Sequence, residues 1–152
     1  MKRTSVTTVS GATVYPQFSE QEILDLQDLF LTYGCNYLTV PTMGQGREII
    51  SLFLASFQCF SRTACLTTQP ALLDDSVVRL HDELALDGAL AFDHHRLDDF
   101  LLNKFYYDFL WIECSDDLIQ APWFYYFEKK LIDYNIAQSM PILFVSYKDT
   151  SI

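Results

Sequence analysis

The chain is short of positive charge. Of its 152 residues only 10 are Lys or Arg against 20 Asp or Glu, a net charge of −10. Such a balance lacks the basic footprint of a nucleic-acid binder and offers no cationic face to an anionic membrane. No apolar run approaches the roughly 18 residues that span a bilayer. The charged start Met1-Lys2-Arg3 is not followed by an apolar stretch, so no secretion signal is read and a cytoplasmic location is expected. Gly-x-Ser-x-Gly is missing, and with it the usual strand-to-helix nucleophile turn. The four cysteines, Cys35, Cys59, Cys65 and Cys114, form no Cys-x-x-Cys pair. They are expected as buried free thiols in a reducing compartment, with no metal and no cofactor.

What is present is core material. Half of the residues are hydrophobic and a fifth are charged, enough to fold one domain of this length and too apolar for a disordered chain. Residues 1–18 read as a flexible tail or edge strand, and residues 19–152 as a single domain. Ser19 and Glu22 form a capping box ahead of Ile23, Leu26, Leu29 and Phe30, which recur at helical spacing. Gly34 is placed to end that helix. Tyr37–Val40 reads as a strand, Pro41–Gly46 as a turn-rich loop, and Arg47 to about Phe60 as a helix apolar around most of its circumference. Thr63–Thr68 is the next strand. Asp74-Asp75 opens an expected acidic helix through Val77, Val78, Leu80, Leu84 and Leu86, and Leu90–Phe92 is an expected short strand. A helix over His95–Lys104, capped by Asp93, leads to Phe109–Glu113, a continuous apolar run that ends in a carboxylate. Pro122 starts a helix from Trp123 to about Gln138, and Pro141 precedes a last strand, Ile142–Ser146. Apolar strands alternating with helices predict a three-layer α/β/α domain with a mostly parallel sheet of four or five strands.

The order strand, glycine-containing loop, helix, strand, helix, acid-ended strand, helix, strand resembles the RecA-like branch of P-loop NTPases, including KaiC-like ATPases. In those proteins the loop reads Gly-x-x-x-x-Gly-Lys-Ser/Thr. Its amides wrap phosphates, its Lys meets them, and its hydroxyl holds magnesium. Here the stretch reads Pro41-Thr42-Met43-Gly44-Gln45-Gly46-Arg47-Glu48. Pro41 replaces the first glycine, Arg47 the lysine and Glu48 the hydroxyl. A carboxylate held ~4 Å from a phosphate oxygen is repelled by about 4 kcal/mol at an effective dielectric near 20, on the order of a thousandfold in affinity. Glu113 stands where the family carries its Walker B acid, and Ser146 where it often carries a polar sensor. The resemblance therefore implies a degenerate nucleotide loop (Pro41, Gly44, Gly46, Arg47, Glu48, Glu113), akin to RecA-like domains without a nucleotide loop such as the SulA-like division inhibitors. It also implies that the last strand inserts between the strands at 37–40 and 109–113.

Asp93-His94-His95 copies the signature of the DHH phosphoesterases, whose Asp and His residues bind divalent metals. The earlier Asp motifs of that family do not precede it here. His81-Asp82-Glu83 lacks the second histidine of a zinc helix. The aromatics carry more weight. In Trp123-Phe124-Tyr125-Tyr126-Phe127 five consecutive side chains exceed one helical turn, so some must point outward. Tyr106, Tyr107, Trp123, Phe124, Tyr126 and Phe127 are the expected partner-binding set, since Tyr and Trp carry interface hot spots. Together these features predict a non-catalytic interaction module, an adaptor or regulatory subunit of a bacterial-type assembly. It would bind protein partners, basic ones in particular, and assemble as a homo- or hetero-oligomer through a sheet edge. Nucleic acid is disfavoured, because the neighbours of the aromatics are largely acidic. The alternative is a divergent nucleotide hydrolase using Arg47 and Glu113, or a metal phosphoesterase using Asp93, His94 and His95.

Overall fold

Residues 3–5, 18–56, 62–69, 73, 76–80 and 94–148 are described by the computed structural model. They form a wholly parallel six-stranded sheet, β1 (Arg3–Ser5), β2 (Gly34–Val40), β3 (Thr63–Leu66), β4 (Val78–Arg79), β5 (Phe109–Glu113) and β6 (Pro141–Tyr147), in the order β1-β2-β6-β5-β3-β4. The helices are α1 (Glu20–Leu31), α2 (Met43–Ser56), α3 (His94–Asn103), α4 (Asp116–Ile119) and α5 (Phe124–Asp133), with a 3-10 turn at Ile136–Gln138. The last strand lies between β2 and β5, paired with Gly34–Val40 on one side and with Leu110–Glu113 on the other. It is central, so among the described residues the sheet edges are β1 and β4, three and two residues long. Short edge strands give another chain little to pair with.

Strand periodicity divides the core in two. Leu110, Ile112, Ile142 and Phe144 face one layer with α3 and α5, while Phe109, Trp111, Leu143 and Val145 face the other with α1 and α2. Each central strand is therefore buried on both faces, and β5 is buried along its whole length. This is why its sequence is a continuous apolar run rather than an alternation. Phe30 of α1 stacks on Phe53 of α2 (5.4 Å between ring centroids) and tilts against Phe109 (5.1 Å), joining both helices to the sheet.

Local signals govern most boundaries. Ser19 Oγ accepts from the Glu22 amide and Glu22 Oε1 accepts from the Ser19 amide, so the capping box forms as expected. α1 stops at Leu31, and Gly34 does not cap it but opens β2, with φ of 109°. The end of α1 is closed instead by buried Asn36, whose Nδ2 donates to the carbonyls of Thr32 (2.7 Å) and Gly34 (3.3 Å). α2 begins at Met43, inside the stretch expected as loop. Val78-Arg79, expected within a helix, pairs instead with Ala64-Cys65 as β4, because the β-branched Val77-Val78 reaches the open edge of β3. The helix expected to reach Gln138 ends at Asp133, where Asn135 takes a left-handed φ of 62°. Asp74-Asp75, His81, Leu84, Leu86, Leu90–Phe92, Asp93, Phe57 and Cys59 lie outside the described residues. Among the described residues no helix is long and apolar enough to cross a membrane.

Candidate functional site

Ligands of open parallel sheets sit at the carboxyl ends of the strands. That end is built here from Pro41-Thr42 after β2, Thr67–Gln69 after β3, Glu113 at the end of β5 and Tyr147 at the end of β6. The turn from β2 to α2 is two residues long, Pro41 and Thr42. Thr42 then starts the helix. Its Oγ1 accepts from the Gln45 amide (3.3 Å) and its carbonyl accepts from the Gly46 amide (3.0 Å). In a phosphate loop such amides point at the ligand. Here they are consumed by the first turn of α2.

Gly46 serves packing. A Cβ there would lie 3.1 Å from Val40 Cγ2 and 3.5 Å from both Val145 Cγ1 and Tyr147 Cε1, whereas one at Gly44 would meet nothing within 4 Å. Close approach of α2 to the strand ends carries Arg47 over β5. Its Nε donates to Glu113 Oε2 at 2.7 Å and its Nη2 to Glu113 Oε1 at 2.6 Å. Nη2 also reaches the Gln69 carbonyl (2.7 Å) and Thr67 Oγ1 (3.3 Å). The side chains are 13% and 1% exposed, so this is a buried, forked ion pair between residues 66 apart in the chain.

Burial works against the Arg47 charge. The hydrogen bonds and the negative charge of Glu113 more than offset it, and the Arg47 pKa is raised. Glu113 is not the first solvated residue after a buried run. It is closed in by the guanidinium. Glu48 is exposed, so the carboxylate that meets Arg47 is Glu113 and not Glu48. The same pocket of charge acts on its neighbours. Burial, then Glu113, pushes the Cys65 thiol well up, and burial with the Glu113 charge likewise raises the Tyr147 phenol. Burial and the Glu128 charge lift Cys114 to about 12. Such thiols stay protonated and are poor nucleophiles. Tyr147 Oη and Arg47 Nη1 are buried and have no hydrogen-bond partner among the described residues. Ser146 is exposed at the same end of β6.

The aromatic set divides. Tyr107, Trp123, Phe124 and Phe127 are buried in the layer of α3 and α5, and so are not available as surface anchors. Residues 124, 127 and 131 form the inward stripe of α5, the i, i+3, i+7 spacing of a packed helix face. Tyr125 is the residue forced outward, at 74% exposure, with Ile132 exposed two turns on. Tyr126 is partly buried. Its hydroxyl donates to the Asp98 carboxylate (2.8 Å), and its ring stacks on His94 with centroids 4.4 Å apart. His94 and His95 are exposed, and among the described residues no group of three or more His, Cys, Asp or Glu is placed to hold a metal ion. Thr67, Gln69 and Tyr147 carry no motif, and polar residues just past a strand are their only sequence signal.

The fold and this site define a three-layer α/β/α domain whose ligand end is closed by its own ion pair. Compared with protein-family models, with curated proteins and with solved structures, the chain has no match.

Proposed function

We propose that the chain is a non-catalytic protein-interaction module of RecA-like descent, a pseudo-ATPase-like adaptor or regulatory subunit. The observation that carries it is the Arg47–Glu113 pair. The cation that would meet a phosphate and the acid that would orient a water or metal neutralise each other, and the Gln45 and Gly46 amides ahead of Arg47 are spent in the first turn of α2. Strand order supports the RecA-like descent, with β6 between β2 and β5. A hydrolase reading has less support. It would have to break a buried forked pair before either residue could act, at a cost of about 3–5 kcal/mol.

Partner contacts in this reading come from apolar side chains left on an acidic surface, Tyr125 and Ile132 on α5 and Leu24 and Leu31 on α1. Each is a pair seven residues apart and so lies on one helix face. The net charge of −10 favours a basic partner and makes association salt-dependent. A titration with a fluorescent ATP analogue and magnesium is expected to show no saturable binding below about 1 mM. Saturable binding that Arg47→Ala removes would overturn the proposal. A photo-crosslinker at position 125 is expected to capture a basic protein in the native host, with a yield that falls as salt rises. Absence of any crosslink at 125 and at 24 counts against a docking role for both helices.

A further inference from the structure

Two polar atoms at the closed end of the sheet are shielded from solvent, Arg47 Nη1 and Tyr147 Oη, and neither has a hydrogen-bond partner among the described residues. A buried polar group left unbonded costs stability, and folded proteins rarely keep one.

The ion pair and the sheet bring these two atoms together. Arg47 meets Glu113 through Nε and Nη2, the two nitrogens on one edge of the planar group, so Nη1 is turned away from the carboxylate. Glu113 pairs in register with Val145. Tyr147 follows Val145 by two residues and so lies on the same face of β6. Its ring comes back against α2. Cε1, the carbon next to the one that bears the hydroxyl, lies 3.5 Å from where a Cβ on Gly46 would stand, and Gly46 directly precedes Arg47. Burial and the Glu113 charge raise the Tyr147 phenol, and the Arg47 charge works against them, as expected of close neighbours. Trp111 Nε1 is a third buried polar atom without a partner. It belongs to β5 opposite Cys65, whose thiol is a weak acceptor beside it, so the site does not depend on it.

Charge and donor count set what can join Nη1 to Oη. Arg47 and Glu113 cancel, so an added anion would face Glu113 uncompensated and an added cation would face Arg47. The partner is therefore neutral. A guanidinium only donates, so the partner offers a lone pair to Nη1, whereas a phenol hydroxyl both donates and accepts. Both atoms are closed off from solvent, so the partner is also small.

We infer that one ordered water molecule bridges Arg47 Nη1 and Tyr147 Oη, accepting from the guanidinium and exchanging a hydrogen bond with the phenol hydroxyl. Buried waters make two to four such bonds to groups that would otherwise go unpaired. This one ties the end of β6 to the first turn of α2. The site rests on the geometry around the ion pair and is independent of the interaction role proposed above.

A crystal structure of the full chain, at a resolution that shows ordered water, tests this directly. A water oxygen is expected about 2.7–3.2 Å from both atoms. Urea unfolding of Tyr147→Phe gives a second reading. The variant keeps the ring against Gly46 and removes only the hydroxyl. Loss of the bridge is expected to lower the folded-to-unfolded ratio about tenfold, and the unfolding midpoint falls. An unbonded hydroxyl would give the opposite sign, because its removal relieves a desolvation cost. Tyr33→Phe removes an exposed hydroxyl and should leave the midpoint where it was. A direct Nη1–Oη hydrogen bond in the crystal, a water held by only one of the two atoms, a Tyr147→Phe midpoint equal to or above the parent's, or an equal fall in Tyr33→Phe would each overturn the proposal. The ATP-analogue titration reads the interaction role and these measurements read the water site, so the two proposals fail separately.

Discussion

β3 and β5 run side by side, and their two ends handle positive charge in opposite ways. At the carboxyl ends a single guanidinium, 13% exposed, meets a buried carboxylate in forked geometry. At the amino ends the exposed Lys104 meets the exposed Asp99, which also accepts from Asn103. A buried pair in a low-dielectric setting holds the structure to one arrangement and leaves no charge for a ligand. An exposed pair such as Lys104–Asp99 is screened by water and contributes little to stability. The end where an α/β fold ordinarily binds its ligand thus carries the stronger ion pair of the two in this protein.

The sharpest way to break this contrast is to cut the buried pair. Glu113→Ala or Arg47→Ala leaves a buried charge without its partner and is expected to cost about 3–5 kcal/mol in urea unfolding at neutral pH. Replacing both with leucine removes both desolvation penalties and is expected to recover most of that loss. A single variant within about 1 kcal/mol of the parent would show that the pair is not a structural lock.

Next in size is a glycine contrast within one helix turn. Gly44→Ala adds a methyl in open space and should stabilise α2 by about 0.5–1 kcal/mol. Gly46→Ala pushes a methyl against Val40, 3.1 Å away on a fully buried side chain, and should cost about 1 kcal/mol net. Equal effects at the two positions would mean that α2 is not seated on the strand ends.

Alkaline pH acts on the layer of α3 and α5. Burial and then the Asp98 carboxylate raise the Tyr126 phenol to about 12 from an ordinary 10.0. A folded-state pKa above the unfolded one gives stability that is complete below about pH 10 and is lost as pH rises through about 12. The thermal midpoint should therefore fall across that window, and the fall should be shallower in Tyr126→Phe. An unchanged slope in that variant would remove the Tyr126–Asp98 hydrogen bond from the account. The smallest effect is expected at the exposed Lys104–Asp99 pair. Lys104→Ala removes an exposed ion pair and should leave the unfolding midpoint where it was, in contrast to Glu113→Ala.

Much of this architecture is legible along the chain because its causes are short-ranged. The Ser19–Glu22 capping box and the apolar run of β5 each depend on neighbours within a few residues. The order with β6 between β2 and β5 followed from the resemblance rather than from any residue. The errors arise where local signals compete. Gly44 and Gly46 read as loop because glycine is a poor helix former, yet the Thr42 cap and the contact of Gly46 with β2 draw them into α2. Trp123, Phe124, Tyr126 and Phe127 read as surface anchors because five consecutive aromatics exceed one turn, yet Phe124 and Phe127 take the inward stripe of α5 and Trp123 is buried beside them.

Alternation of strand and helix, a net negative charge and Arg47-Glu48 after Gly46 in place of a lysine and a hydroxyl were determined by the sequence alone, because propensity, periodicity and charge are properties of near neighbours. Only the tertiary structure brought Arg47 to Glu113 and Tyr147 to the start of α2. Residues that distant in the chain meet through strand order and helix seating, and a buried charge takes its meaning from the group it faces.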